Sequence, residues 1–355
     1  MGPPSLQLTG SPSLGLPAAV PATGADDGVA WHFGNPLAEQ RAAEQGAALV
    51  DRSHRGVVAV SGPQRLGWLH TLTSQHLSAL APLTPTEALL LSPHGHVEHH
   101  LQVLDDGTRT LLGVEPGTQA ALVDHLAKMV FWSEVEPVDA TAAIAVLTVL
   151  GPQAPAVLAA VGLPAPETAA LAEAGPIAST TGVLVRRRRS PLAQTYDLLV
   201  PRTQAADLAA ALVAAGASPA GTWAYEALRV AAREPRLGAE SDHRTIPNEL
   251  GWLSSAVHLD KGCYRGQETV ARVHNLGRPP RRLVLLHVDG TEVDLPKHGA
   301  AITLAGKQVG SVGTAALHHE LGPVVLALLK RTVADDAELV IVTDSGSVSA
   351  AADAG

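Results

Sequence analysis

Three stretches that alternate apolar and polar residues, Ala88 to Leu91, His96 to Leu104 and Thr110 to Val114, follow one another closely. Pro93-His94-Gly95 and Asp105-Asp106-Gly107 punctuate the joins between the long middle stretch and its neighbours. A period of two buries one face of each stretch, and breaks this short join antiparallel neighbours, so the segment folds as a meander. Around it, strand and helix signals interleave. Val57 to Val60 reads as a strand ended by Ser61-Gly62-Pro63, followed by an amphipathic helix from Gln64 to Leu72. Pro36 to Ala48, Thr118 to Val130, Pro152 to Val161, Pro166 to Ala174 and Gln204 to Ala215 read as helices, and Ala143 to Leu150, Val183 to Arg188 and Tyr196 to Val200 as strands. The long parallel crossovers of a doubly wound sheet are missing, so the class is α+β. After Pro279-Pro280 the texture changes to short strands (Arg282 to Val288, Ala301 to Leu304, Gln308 to Ala315, Val324 to Leu329, Glu338 to Val342) broken by Gly, Pro and Asp, which predicts a small β-barrel.

A chain of 355 residues with 46% hydrophobic composition can bury a substantial core, in about two or three domains. With only five Trp, three Tyr and two Phe, that core must be built from Leu, Val and Ala. A formal charge of −9 excludes a global basic field, so nucleic acid is not an expected partner; the one basic block, Arg186-Arg187-Arg188-Arg189, is local. Met1 to about Gly28 is rich in Pro, Gly, Ala and Ser without a basic stretch leading into an apolar run, and reads as a disordered tail (1–28); Ser345 to Gly355 reads as a flexible tail. No run approaches the ~18–20 apolar residues of a membrane span, and a cytoplasmic location is the expectation.

Cys263 is the only cysteine. Alone it can form no intrachain disulfide, and it cannot ligate an iron–sulfur cluster, which needs about four ligands. It stands between Lys261 and Arg265, just ahead of a helix start at Gly266, where a thiolate is stabilised; a small buried hydrophobe is the competing reading. Upstream, Trp223 to Val230 is helical, with Glu226 and Arg229 on one face. Arg233-Glu234-Pro235-Arg236-Leu237-Gly238 and Ile246-Pro247-Asn248-Glu249-Leu250-Gly251 follow it. Glu226/Arg229 and Glu226/Arg233 are candidate surface ion pairs. Asp197 is an acid within an apolar strand, costly to bury without a partner. His96, Glu98 and His100 would share one strand face, opposite Val97, His99 and Leu101. With His318-His319-Glu320 they invite a metal reading, but a solvated polar face is the simpler one and no metal is expected.

Lys261-Gly262-Cys263-Tyr264-Arg265-Gly266-Gln267-Glu268 resembles the K-G-C-Y-x-G-Q-E signature of the YgfZ-type folate-binding proteins, relatives of the glycine-cleavage T-protein (aminomethyltransferase). Asp51-Arg52-Ser53-His54-Arg55-Gly56, the order of segments from 223 to 270, and Gly310-Ser311-Val312-Gly313-Thr314 extend the resemblance across about 48–342. It implies a T-protein-like folate-binding α+β region of two mixed subdomains around a central cleft (29–278), then the small C-terminal β-barrel (279–344). It implies bound tetrahydrofolate or a related folate, with Asp197, Glu226, Arg233, Glu249 and Tyr264 at the folate site. Cys263, with Lys261 and Arg265, would supply a reactive thiol at the cleft's rim. The implied role is an accessory in iron–sulfur cluster assembly or repair and dependent tRNA modification, with iron–sulfur enzymes or assembly proteins as partners. Where the T-protein has Gly-x-hydrophobic-x-Asp-Asp, this chain has Gly95-His96-Val97-Glu98-His99-His100. His99 and His100 thus replace the acids, so classical aminomethyltransferase activity is not expected. A folate-dependent one-carbon transferase is the alternative; an RNA-contacting module using Arg186 to Arg189, Arg278, Arg281 and Arg282 is the third.

Overall fold

The structure is a computed structural model and describes residues 10–166, 171–173, 182–188, 194–289, 295–344 and 346–353. Its first sheet has six strands in the order Leu171–Glu173, Leu184–Arg187, Tyr196–Pro201, Ile144–Leu150, Ala48–Asp51, Ser218–Ala220, antiparallel except for the last pair. The second has five antiparallel strands in the order Thr86–Leu91, Val97–Asp105, Arg109–Val114, Gly56–Ser61, Glu136–Asp139. The meander is therefore present as its alternation predicts. Helices Ala154–Ala160 and Ala205–Ala214 cover one face of the first sheet through Leu158, Leu208 and Leu212. Helices Arg65–Leu72 and Gln119–Lys128 cover the second through Trp68, Leu69 and Leu122. The uncovered faces meet over Val57, Leu104 and Leu111 from one sheet and Val146, Leu184 and Leu199 from the other. Each such aliphatic side chain contributes about 1.5–3 kcal/mol on burial, so many small contributions stand in for the missing aromatics.

The C-terminal strands close into a six-stranded barrel in the order Arg281–Val288, Gly322–Lys330, Lys307–His318, Ala301–Leu304, Leu339–Thr343, Gly346–Ala352. The last strand corrects the flexible-tail reading. Val348, Ala350 and Ala352 alternate into the barrel core, and the strand pairs with both of its neighbours. The disordered-tail reading fails likewise over the described residues 10–28. Val20–Pro21 pairs with Ala30–His32, Asp51 accepts from Ser13 N and Oγ at 3.1 and 2.9 Å, and Trp31 stacks on Trp223 at 5.4 Å. Those anchors are polar or distant in sequence, so composition hides them. The helix read over 166–174 is also corrected where it can be judged. Leu171–Glu173 is an edge strand paired with Leu184–Arg187, and edge pairing overrides the local helical composition; 167–170 and 174 lie outside the described residues.

Helix Thr222–Ala231 is buried on nearly every side, its polar face included. Ala224, Tyr225 and Leu228 pack on the first sheet, while Ala227 and Val230 pack on the barrel. Glu226 and Arg229 consequently form a buried pair and not the surface pair the spacing allows. No helix among the described residues is long and apolar enough to cross a membrane.

Candidate functional site

Strand alternation builds a polar chamber from the same faces that make the inter-sheet core. Val146, Leu184 and Leu199 lie in that core, and two residues along each strand Thr148, Arg186 and Asp197 take the same side. On the facing sheet His100 and Gln102 share parity with Leu104, and Glu115 continues beyond Leu111 and Gly113. Of these polar residues all but Thr148 border a cavity of about 170 Å³, flanked on its remaining sides by Tyr225 and the segments 233–236 and 250–255.

One wall gathers around Asp197, which is 2% exposed. Arg186 Nη2 donates to its Oδ2 at 2.6 Å and Thr148 Oγ1 to its Oδ1 at 2.7 Å, with Arg52 and Arg188 each 3.8 Å away. Burial opposes ionisation, but Arg188, Arg186 and Arg52 outweigh it and hold the carboxyl well below the usual range. Arg52 also lies over the Tyr225 ring, 4.4 Å from its centroid, and donates to Tyr225 Oη at 3.0 Å. Arg188 donates to the same oxygen and to Glu234.

The second wall is an ionic cluster. Arg236 donates to Glu226 at 2.8 Å, Asp26 at 3.0 Å and Glu115 at 3.1 Å. Arg55 holds the other Glu115 oxygen at 2.8 Å, and Arg229 donates to Glu226, to Glu240 at 3.1 Å and to Thr314 of the barrel at 2.6 Å. Burial disfavours the charge on Glu115, yet Arg55 and Arg236 hold it ionised. A third wall carries Glu87, which accepts from His100 Nε2 at 3.2 Å and Gln102 Nε2 at 3.0 Å, and Trp252, on which His100 stacks at 4.5 Å. Burial raises the Glu87 pKa, but the His100 and Gln102 hydrogen bonds outweigh it and keep the carboxyl low.

A β-bulge alters the predicted histidine faces. Leu90 pairs with His99 but Leu91 with Val97, which leaves Glu98 as the extra residue. Val97 thus joins the cluster of Leu89, Leu91 and Trp252, while His99 is buried toward the helix side. Burial, with His125 nearby, pushes the His99 pKa down to about 4. Only His100 of this run reaches the cavity.

The Lys261–Glu268 segment packs against the meander's first turn. Gly266 has φ +81°, and a Cβ there would meet Ser92 O at 2.6 Å and Gly95 Cα at 2.8 Å, so this turn requires glycine. Helix Gln267–Leu276 follows directly. Lys261 Nζ donates to the carbonyls of His70, Thr73 at 2.5 Å and Gln75 at 3.1 Å, at the end of helix Arg65–Leu72. Its three hydrogens are thereby committed, and burial pulls its pKa down to about 8. Arg265 faces Glu98 at 3.4 Å. Cys263 is exposed, which sets aside the buried-hydrophobe reading, and it does not line the cavity.

Of the residues singled out by sequence, Asp197 and Arg233 line the cavity, and Glu226 backs it. Arg233 pairs with Asp353 at 2.9 Å and not with Glu226, whose partners are Arg229 and Arg236. Glu249 lies elsewhere: its two oxygens accept from Arg281 Nε and Nη2 at 2.8 Å each, tying the turn Pro247–Glu249 to the barrel. Tyr264 is buried in the apolar cluster with Leu89, Leu91 and Trp252, its ring 5.1 Å from Lys261 Nζ. The RNA reading keeps Arg278, which is exposed, but several of its other arginines are engaged within the protein. Arg186 and Arg188 turn inward, Arg281 binds Glu249 and Asp242, and Arg282 binds Asp335; Arg189 lies outside the described residues. Sequence reasoning missed Arg52, Arg55, Glu87, Glu115, Arg236 and Trp252. The parity of Arg186 and Arg188 with buried Leu184 was the one signal that pointed inward.

The metal reading has one geometric counterpart among the described residues, Glu44, His318 and His319, with ligand atoms within 4.8 Å of one another. His318 Nδ1 accepts from the backbone N–H of Glu320 and of Leu321, both at 3.2 Å, so in the neutral ring the hydrogen sits on Nε2, facing Glu44 at 3.6 Å. The hydrogen bond to Glu44 comes from His319 Nε2, and it joins the barrel to helix Pro36–Gln45.

Residues 29–261 match the GCVT N-terminal domain family. The chain belongs to that family. Among curated relatives of this GCVT-domain protein, a chloroplastic protein of Arabidopsis thaliana named as a transferase is 27% identical over 295 residues, covering 81% of this chain and 66% of its own length. The aminomethyltransferase of Symbiobacterium thermophilum is 28% identical over 295 residues, covering 79% of this chain and 78% of its own. The glycine cleavage system aminomethyltransferase T from Bartonella henselae superposes with a TM-score of 0.81 at 20% identity, covering 95% of this chain and 93% of its own. The fold is therefore T-protein-like, mixed α/β sheets followed by a closed barrel. The chain spans just under two thirds of the Arabidopsis protein.

Proposed function

We propose that this protein binds a reduced folate in the central cavity and serves iron–sulfur cluster assembly or repair, and the tRNA modification that depends on it, without aminomethyl transfer. The observation that carries the reading is the wall of His100, Glu87 and Trp252. An imidazole stands where the resembled transferases carry an acid, and it stacks on an indole beside a half-buried carboxylate. The Lys261–Glu268 string supports the YgfZ-type branch, with Cys263 exposed and available for thiol exchange outside the cavity. The chamber fits a folate in kind. Trp252 and Tyr225 offer planar surfaces, Glu87 and Asp197 are acceptors for pterin N–H groups, and the arginines are donors for carboxylates. A bound reduced folate would bring nitrogen sites able to carry a one-carbon unit. At about 170 Å³ the cavity holds one ring system, so the rest of the ligand projects outward.

A folate-dependent aminomethyl transferase is the second reading, favoured by the named activity of the relatives and by Glu87, an ionised acid in contact with His100. Calorimetry with tetrahydrofolate, paired with a turnover assay on an aminomethylated carrier protein, separates the two. Saturable binding without turnover supports the accessory role, and turnover abolished by Glu87→Gln establishes the transferase. No saturation at millimolar folate sinks both.

A further inference from the structure

We infer that the loop 129–135 is a docking knuckle, on which Phe131 and Trp132 receive a lysine- or arginine-bearing segment of a protein partner. Of five Trp, three Tyr and two Phe, all among the described residues, only these two are exposed, at 77% and 98%. A chain that builds its core almost without aromatics thus leaves a phenyl and an indole side by side in water, the side-chain types that anchor protein interfaces. Their exposure is not that of a loose loop. Trp68 Nε1 donates to Met129 O at 3.0 Å, Ser133 N–H to Val130 O at 2.8 Å and Glu134 N–H to Gln64 Oε1 at 2.9 Å. Gly62 closes against the same loop so tightly that a Cβ there would meet Glu134 O at 2.1 Å. Helix Arg65–Leu72 and the turn before it therefore hold both ends, and the aromatics lose little backbone freedom on docking. Phe131 itself has φ +44°, a left-handed conformation strained for a bulky side chain and kept where it is displayed.

Charge selects the occupant. Glu134, Glu136 and Asp139 are exposed beside the aromatics and form no ion pair among the described residues, and Lys128 is the only exposed cation between 124 and 139. Nucleic acid and an anionic lipid surface are repelled there, and so is a second copy of a chain of net charge −9. A basic segment is drawn in by the carboxylates, and its cations can rest on the indole face. The contact runs through side chains and not through strand addition. Glu136–Asp139 is the outer strand of its sheet, and Ala140 N–H donates inward to Val57 O at 2.8 Å. By alternation Glu136 and Val138 also turn their N–H groups inward and Pro137 and Asp139 face outward, where Pro137 has no hydrogen to give a further strand. Neither aromatic lines the central cavity, so the docking site is independent of the folate reading.

Selection of a displayed library of short random peptides on the immobilised full chain tests it, followed by anisotropy titration of the selected, fluorescently labelled peptides. The selected peptides carry net positive charge, and Trp132→Ala raises their Kd about tenfold or more, as removal of an aromatic anchor does. Glu134→Lys with Glu136→Lys weakens the same peptides at low salt, and the difference shrinks at about 0.5 M salt. Phe131→Gly separates binding from stability. It removes the ring and the left-handed strain together, so affinity falls about tenfold or more while the melting temperature stays at or above that of the wild type. Failure to select any peptide, selected peptides without net positive charge, or equal affinity for Trp132→Ala overturns the proposal. A wild-type dimer in sedimentation that Trp132→Ala dissolves would seat a second copy on the knuckle, and Trp132-dependent binding to phosphatidylcholine vesicles a lipid surface; either result overturns the basic partner.

Discussion

Arg229→Met probes the buried ionic wall most directly. The guanidinium is 1% exposed and reaches Glu226 through Nε at 2.8 Å and Nη2 at 2.5 Å, Glu240 at 3.1 Å, the Glu234 carbonyl at 3.0 Å and Thr314 Oγ1 at 2.6 Å. Methionine fills similar volume without charge. Glu226 then retains Arg236, and Glu240 retains the Arg236 backbone N–H and the Thr314 hydroxyl, so neither carboxylate is wholly abandoned. Both nevertheless lose their closest buried cation, and breaking such a pair costs about 3–5 kcal/mol. At about 1.3 °C per kcal/mol for a chain of 355 residues, melting falls by roughly 4–7 °C at pH 7. The pH dependence identifies the cause. Burial works against the charge on Glu226, but Arg229 and Arg236 hold its folded pKa below the ordinary value. Its stabilisation is thus present above the unfolded carboxylate range and lost as pH falls through the folded value. The variant has less of this to lose, so the two melting curves stay apart from pH 7 down to about pH 4.5 and converge below it. Scanning calorimetry across that range reads both effects. A gap under ~1 kcal/mol at pH 7, or one that widens in acid, would refute the claim that Arg229 neutralises buried charge.

His99→Leu should flatten the acid limb of stability: burial lowers the folded pKa to about 4, so the unfolded chain takes the proton first and the wild type loses up to about 3 kcal/mol between pH 7 and pH 4. Urea midpoints of the two proteins that shift in parallel over that range would contradict the assignment. Cys263 should alkylate in the native protein, at a rate unchanged by Lys261→Met or by bound ligand, because the ammonium is spent on carbonyls and the thiol lies outside the cavity. Ligand protection of the thiol in a mass-spectrometric time course would show the two to be coupled. Gly266→Ala should cost about 2 kcal/mol or more through left-handed strain and the clash at Ser92, while Gly262→Ala, with nothing within 4 Å, should stay within about 1 kcal/mol; equal denaturation midpoints would mean the turn relaxes freely.

What could be read without coordinates follows the range over which each feature is encoded. The meander and most barrel strands announce themselves because alternation and turn residues act within a few positions, and the helix start at Gly266 does so for the same reason. The last barrel strand carries the same alternation in Val348, Ala350 and Ala352, but its small and polar residues resemble a tail until the barrel core supplies their partners. The ordered stretch before residue 29 is held by Asp26 on Arg236 and Trp31 on Trp223, contacts that bridge some two hundred positions and leave no local trace. The chamber is hidden by a different rule. Charged residues are seldom buried unless paired, so a block of arginines is naturally taken for solvated surface. Here Arg186 pairs with Asp197 on the neighbouring strand and Arg188 with Glu234, and outside the block Arg236 pairs with Glu115. Parity did carry the placement of Arg186 and Arg188, since Leu184 on the same strand face is buried. A strand whose alternation runs from Leu184 into arginines, beside one that runs from Leu199 back to Asp197, places matched charges on one inward face. Sequence analysis of related chains can apply that criterion before any fold is known: charges in phase with a strand's buried residues belong to the interior, and the cavity lies where they meet.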